Sequence, residues 1–229
     1  MLKKCLLSVC VFIPALFFTA TASAAPATTT ALEDFIARLD ALASFDAAFT
    51  QQTVDGNNSV LQSISGQLSV SRPGRLRWKT SPPYEQVVIS DGRSVWVYDQ
   101  DLEQVTIRDL EQRLQDTPAL LLSGDTSQIE ANYLVSETVD STVKDSKVIF
   151  KLLPKDQSQL FESLEFIYQG SMLTQMRIYD VTGQLTQINF SKQRINPNLK
   201  DSLFTFTPPK GIDVIDGRTR QLKMKDSNG

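Results

Sequence analysis

The sequence predicts a mainly β fold with a few helices (α+β): a curled antiparallel sheet of about eleven strands, forming an incomplete β-barrel under a helical lid. Three observations predict it. Apolar and polar residues alternate over most of the chain from Phe45 onward, the period of a half-buried strand. Turn dipeptides such as Asp91-Gly92 and Thr182-Gly183 join the runs at hairpin distances. Helical spacing appears in only two places, one ahead of the strands and one midway. An antiparallel sheet with this many strands curls, closes or splits, because each strand carries a right-handed twist.

The elements follow in order. Thr30 with Glu33 three residues later matches a capping box. Leu32, Phe35, Ile36, Leu39 and Leu42 then recur on one face, so residues 31–43 are expected to form an amphipathic helix. The period drops to two at Ser44, where Phe45, Ala47 and Phe49 alternate with polar residues up to a hairpin signal at Asp55-Gly56. Ile64, Leu68 and Val70 continue the pattern to Arg72-Pro73-Gly74-Arg75, where the chain turns, and Leu76 and Trp78 return. Residues 84–90 and 94–99 form the next pair, and Val105 and Ile107 end the first run. Thr117-Pro118-Ala119-Leu120-Leu121-Leu122 breaks the alternation; proline at the first position and Gly124 past the end define a short helix. Strands resume near 131–139, 147–153, 160–168, 172–180 and 184–194, and Val214-Ile215 marks a last short one. Residues 217–229 are polar and are expected to fray.

Residues 1–24 carry Lys3 and Lys4, an apolar stretch over residues 5–20 and an Ala22-Ser23-Ala24 ending, the pattern of a cleaved secretory signal peptide. With Pro14 inside it, that stretch is short against the roughly 20 residues a membrane span needs. Residues 25–229 are then expected to be one exported domain without stable membrane insertion. Cys5 and Cys10 both fall inside the leader, away from the cleavage site, so no disulfide, thiolate metal site or lipid anchor is expected. The chain holds no histidine, which removes Ser-His-Asp and Cys-His catalysis and the usual zinc sites; no cofactor is expected. Loss of Lys3 and Lys4 leaves 21 basic against 26 acidic side chains, a net charge of −5 that argues against nucleic acid as a partner.

One strand face is apolar at Phe45, Phe49, Leu68, Val70, Leu76 and Trp78, and the first helix offers a covering stripe that includes Leu39. A filled core and a lidded apolar cavity both fit this pattern, and pattern alone leaves both open. Arg72 ends the strand that carries Leu68 and Val70, and parity turns it to the same side. A charge there needs partners, and the free carbonyls at a lid-helix end are available acceptors; a solvated strand-end arginine is the alternative. Arg75, Arg77 and Lys79 form a basic row on the other face, read as a solvated, edge-protecting strand face or as a dock for an acidic partner. Asp99, Asp101 and Glu103 lack the full spacing of a calcium loop. Glu162, Glu165 and Asp180 are the carboxylates a hydrolase would draw on, and they read as solvated strand residues.

Several pieces, in order, resemble the LolA family of outer-membrane lipoprotein carriers. They are Phe45-Asp46-Ala47-Ala48-Phe49-Thr50-Gln51, Gly66-Gln67-Leu68 leading to Arg72-Pro73-Gly74-Arg75-Leu76-Arg77-Trp78, Ser90-Asp91-Gly92, Val95-Trp96-Val97-Tyr98-Asp99, Leu102-Glu103-Gln104-Val105, Thr117-Pro118-Ala119-Leu120-Leu121, and Phe204-Thr205-Phe206-Thr207-Pro208-Pro209-Lys210-Gly211. The resemblance implies a monomeric periplasmic chaperone that does no chemistry. Such a carrier accepts acylated lipoproteins from an inner-membrane ATP-binding-cassette transporter of the LolCDE type. It shields their acyl chains in an apolar cavity and delivers them to the outer-membrane receptor LolB. It also implies that Arg72 latches the lid through lid backbone, and that Leu39, Phe49, Leu68, Val70, Leu76, Trp78, Trp96, Pro118, Leu120, Leu121 and Leu122 line cavity and lid. Leu76 stands where relatives often carry an aromatic residue, which bears on cavity shape. The alternative is a lipid- or lipoprotein-sensing protein on the same half-barrel.

Overall fold

A computed structural model describes residues 30–110, 118–142, 145–156 and 159–218; the expected leader and all but the start of the expected tail lie outside them. The described elements are α1 (Ala31–Asp40), β1 (Ser44–Val54), β2 (Val60–Ser71), β3 (Arg75–Thr80), β4 (Gln86–Asp91), β5 (Ser94–Asp99) and β6 (Gln104–Asp109). A 3₁₀ turn (Pro118–Leu122), α2 (Ser127–Asn132), β7 (Tyr133–Asp140), β8 (Lys147–Pro154), β9 (Phe161–Gln169), β10 (Met172–Asp180) and β11 (Leu185–Ile195) follow, then a second 3₁₀ turn (Asp201–Phe204) and β12 (Asp213–Asp216). The capping box forms in both directions. Glu33 N–H donates to Thr30 Oγ1 at 3.2 Å and Thr30 N–H to Glu33 Oε2 at 2.8 Å. The helix stops at Asp40, short of the expected residue 43, because Ser44 already belongs to β1.

All twelve strands form one sheet in the order β12-β6-β5-β4-β3-β2-β1-β11-β10-β9-β8-β7. Two runs of hairpins, β1–β6 and β7–β11, meet where β1 pairs antiparallel with β11, Phe49 opposite Phe190. The end strands β12 and β7 do not pair with each other, so the barrel stays open. The expected fold is present, with three differences in detail. The sheet has twelve strands rather than about eleven, and it is not antiparallel throughout: β12 runs parallel to β6, Val214 beside Val105. Residues 131 and 132, assigned by sequence to a strand, belong to α2.

The sheet wraps its concave face around the helices. Phe45, Leu68 and Leu76 from one wing and Phe150, Leu164 and Phe166 from the other share one buried cluster with Phe35 and Leu39 of α1. Phe35 sits 5.2 Å from Phe150 and 4.9 Å from Phe166, ring centre to ring centre, which places α1 over β8 and β9. Burying one such side chain contributes roughly 1.5–3 kcal/mol, so this cluster dominates the fold's stability.

A second apolar layer lies on the opposite, convex face, where Ile89, Trp96 and Ile107 follow one another across β4, β5 and β6. The segment 201–204 packs against β3 and β4, with Phe204 fully buried. Arg75 and Arg77 are not a free solvated row. Arg75 pairs with Asp201 and lies 5.5 Å from the centre of the Phe204 ring, and Arg77 Nη1 donates to Leu203 O at 3.4 Å.

Candidate functional site

The Arg72-Pro73-Gly74 turn between β2 and β3 is where sheet and lid are tied together. Arg72 N–H donates to Ala43 O at 2.9 Å, just past α1. Arg72 Nη2 reaches Asp40 Oδ1 at 3.2 Å, and Thr126 Oγ1, at the entrance to α2, donates to the same oxygen at 3.3 Å. Gly74 N–H donates to Ser123 O, at the end of the 3₁₀ turn, and Ser90 Oγ donates to Gly74 O at 2.6 Å. One tight turn therefore holds two pieces of lid directly, and α2 is tied to it through Asp40. Gly74 adopts φ +76°, and a Cβ there would lie 2.8 Å from Gly92 Cα, so the turn needs glycine twice over.

The resemblance implied that Arg72 bonds to lid backbone. Among the described residues, Arg72 bonds through its side chain to a carboxylate, and the backbone bond to the lid comes from Gly74. Burial pushes the Arg72 guanidinium below its usual range, while Asp40 and then Asp125 pull it back up. Asp40 closes α1 at the negative end of the helix dipole, where an acidic residue is unfavourable. Arg72 supplies the compensating cation. An acidic residue in a helix's last turn was the one sequence signal that could have found Asp40.

The candidate lining residues fall into two groups. Leu39, Phe49, Leu68, Val70 and Leu76 are at most 1% exposed, and Leu120, Leu121 and Leu122 are buried with them in the concave cluster. The concave side is thus closed and filled by the protein's own side chains. Phe49 lies directly opposite Gly66, and a Cβ on Gly66 would sit 2.6 Å from the Phe49 ring and 2.1 Å from Lys79 O. The missing side chain lets the Phe49 ring reach Trp78, with centroids 3.9 Å apart. Trp78 in turn borders a cavity of about 330 Å³ at the end of the sheet away from Arg72, together with Gln51, Ile64, Thr80 and Tyr84.

Trp96 does not belong with them. Leu68, Trp78, Val88 and Val97 follow one another across the strands, whereas Trp96 is in register with Ile89 and Ile107 on the convex face. Pro118 opens the 3₁₀ turn, and its side chain lies outside the described residues. Sequence reasoning also passed over Tyr168 on β9, which is buried on the concave side with Arg38 of α1 5.1 Å from its ring centre. The carboxylates weighed for hydrolysis are dispersed. Glu162 is exposed, Glu165 pairs with Arg177 at 3.3 Å, and Asp180 Oδ1 accepts the Thr182 and Gln184 backbone N–H groups.

An open sheet whose concave face is apolar and covered by helical pieces defines a lidded half-barrel, a binding architecture. The sequence matches the family described as outer membrane lipoprotein carrier protein LolA over residues 40–207, and the chain belongs to that family. An outer-membrane lipoprotein carrier protein of Chromohalobacter salexigens is 42% identical over 191 residues, covering 83% of this chain and 89% of that protein. One from Alcanivorax borkumensis is 38% identical over 214 residues, 93% of this chain and 98% of that protein. Among solved structures, a LolA superfamily protein from Nitrosomonas europaea aligns at 15% identity with a TM-score of 0.46, over 78% of this chain and 99% of that one.

Proposed function

We propose that this protein is a periplasmic carrier that takes lipoproteins leaving the inner membrane, encloses their acyl chains on its concave face and passes them to the outer membrane. The observation that carries the reading is the lid itself: Leu39, Leu120, Leu121 and Leu122 fill the concave side, and a few polar bonds, at the β2–β3 turn, at Gly170 and at Asn196, tie their segments to the sheet. A lid held this way can swing out and leave an apolar trough without unfolding the sheet.

Magnitudes explain why such a carrier has to close on itself. Burying an acyl chain gains about 0.8 kcal/mol per CH₂, so a chain of about 16 carbons gains on the order of 12 kcal/mol. At 1.4 kcal/mol per tenfold, cargo held so tightly would not leave on a useful timescale. A closed empty state lowers the apparent affinity by the fraction of molecules that are open. The lid contacts at Asp40, Thr126 and Ser123 set that fraction. No covalent step is required of the protein. Donor and acceptor are, in this reading, an inner-membrane ATP-binding-cassette transporter of the LolCDE type and an outer-membrane receptor of the LolB type.

Native mass spectrometry of the protein purified from a periplasmic extract tests the proposal. Co-purified acylated lipoproteins are expected, displaceable by a fluorescent fatty acid. Recovery only as a bare chain, with no fatty-acid binding, would overturn it.

A further inference from the structure

We infer that the Tyr168 hydroxyl, together with the inner edge of the Arg72 guanidinium, forms a polar subsite beneath the lid that receives the ester carbonyl oxygens of diacyl cargo. The inference rests on the carrier reading above and goes further by naming the part of the cargo that is recognised. Tyr168 stands in register between Val148 of β8 and Leu173 of β10, inside the concave cluster, and is 1% exposed. Its ring meets Phe150 edge-on at 5.8 Å and lies 5.1 Å from the Arg38 guanidinium. Among the described residues its hydroxyl oxygen has no hydrogen-bond partner, and neither does Nη1 of Arg72, although both atoms are buried. Residues two apart at the end of α1 address the two groups, Arg38 over the tyrosine ring and Asp40 on Arg72 Nη2. Burial keeps Tyr168 a neutral phenol, and the Arg72 guanidinium lies within electrostatic reach of it.

The chemistry of the pair selects the ligand. A guanidinium edge only donates, and a phenol donates once, so a partner that satisfies both must bring acceptors. A hydrocarbon chain brings none. An ester brings a carbonyl oxygen where the acyl chain joins its polar linkage, so the chain can fill the apolar interior while the carbonyl meets the donors. Leaving a buried donor unbonded is costly, and a bound ester removes that cost at the moment the lid's own packing is lost.

The test compares two lipids on the intact mature protein: a glycerolipid with two ester-linked chains of about 16 carbons, and its diether analogue, which lacks only the carbonyls. Displacement of a fluorescent fatty acid gives both affinities. The wild type is expected to prefer the ester by about tenfold, the worth of one or two hydrogen bonds. Tyr168→Phe is expected to lower the ratio several-fold, to what the Arg72 donor alone supplies, while leaving ether binding unchanged, and Tyr98→Phe, on the convex face, is expected to keep the full preference. Tyr168→Phe should not lower the Tm of the empty protein, because the hydroxyl it removes is unbonded there. Equal binding of ester and ether by the wild type, an ester preference undiminished in Tyr168→Phe, or a fall in Tm of the empty variant would each overturn the inference and leave the carrier reading standing. Binding of neither lipid would overturn both.

Discussion

The guanidinium of Arg72 and the carboxylate of Asp40 meet at 3.2 Å across the gap between the last turn of α1 and the β2–β3 turn. Arg72 is 12% exposed and Asp40 54%, so the pair lies between a buried and a surface bridge. Its worth is then about 1–2 kcal/mol, and opening the lid without it is easier by roughly tenfold. Arg72→Leu is therefore expected to take up lipoprotein normally and to release it slowly, the easier opening outweighing the one ester contact that Nη1 would have given. Asp40→Asn should act in the same direction more weakly, and Arg72→Lys should recover only part of the loss for want of a planar fork. Loading each variant with one radiolabelled lipoprotein and timing transfer to receptor-bearing outer membranes checks this; normal transfer by Arg72→Leu would remove the latch.

Gly74 and Gly183 separate backbone strain from crowding. Both have positive φ, +76° and +83°, but a Cβ on Gly74 would strike Gly92 Cα at 2.8 Å, whereas on Gly183 it would meet nothing within 4 Å. Gly183→Ala should cost only the left-handed strain, about 1 kcal/mol. Gly74→Ala adds the clash and weakens the bond to Ser123, so a loss of about 2 kcal/mol or more is expected. In a domain of this size that lowers Tm by about 4–8 °C. Thermal melts followed by circular dichroism give both numbers, and equal shifts would contradict the packing described for Gly74.

The two tryptophans should report differently on ligand. Trp78 packs against the Phe49 ring inside the concave face and borders the cavity, while Trp96 lies on the convex side. Fatty-acid binding is expected to change the emission of the Trp96→Phe variant nearly as much as that of the wild type, and to leave Trp78→Phe almost silent. Leu121→Glu, which puts a charge into the lid's buried face, should fold and lose the response. A response carried by Trp96 would move the binding site to the other face.

Phe204 covers the convex layer, away from the lid. Phe204→Ala should cost about 3–5 kcal/mol, as for other fully buried aromatic residues. Urea denaturation should show that loss as a lower midpoint with little change in slope. Variant that remains folded should still bind the fluorescent fatty acid, because the concave face is untouched; loss of binding at full folding would mean that the two faces are coupled.

Much of the fold was legible because period two survives wherever one face of a strand meets water. β3 alternates cleanly, and in β1 and β2 the residue types at Phe45, Phe49, Leu68 and Val70 keep the same phase, so these with Leu76 and Trp78 could be put on one side. The signal fails at Val87-Val88-Ile89 and Val95-Trp96-Val97, which are apolar on consecutive positions because both faces are covered, one by the lid and one by the C-terminal segment. Trp96 was misplaced for that reason. The short helix α2 was missed because six residues are too few to display a helical stripe; its cue was the polar Asp125-Thr126-Ser127 turn, where Asp125 Oδ1 accepts the Ser127 N–H.

By itself the sequence determined the local matters: the capped first helix, the hairpin turns, the greasy run Leu120–Leu122 and the absence of histidine. Parity also determined that Arg72 shares a side with Leu68 and Val70. These depend on neighbours along the chain, and the periodicities of helix and strand record them directly. Only the tertiary structure decided what closes on what: β1 against β11, β12 parallel to β6, Asp40 and Thr126 on Arg72, and Gly74 on Ser123. Those partners lie tens to more than a hundred residues apart, and they are chosen by how a twelve-stranded sheet curls around its own apolar face, which no local pattern encodes.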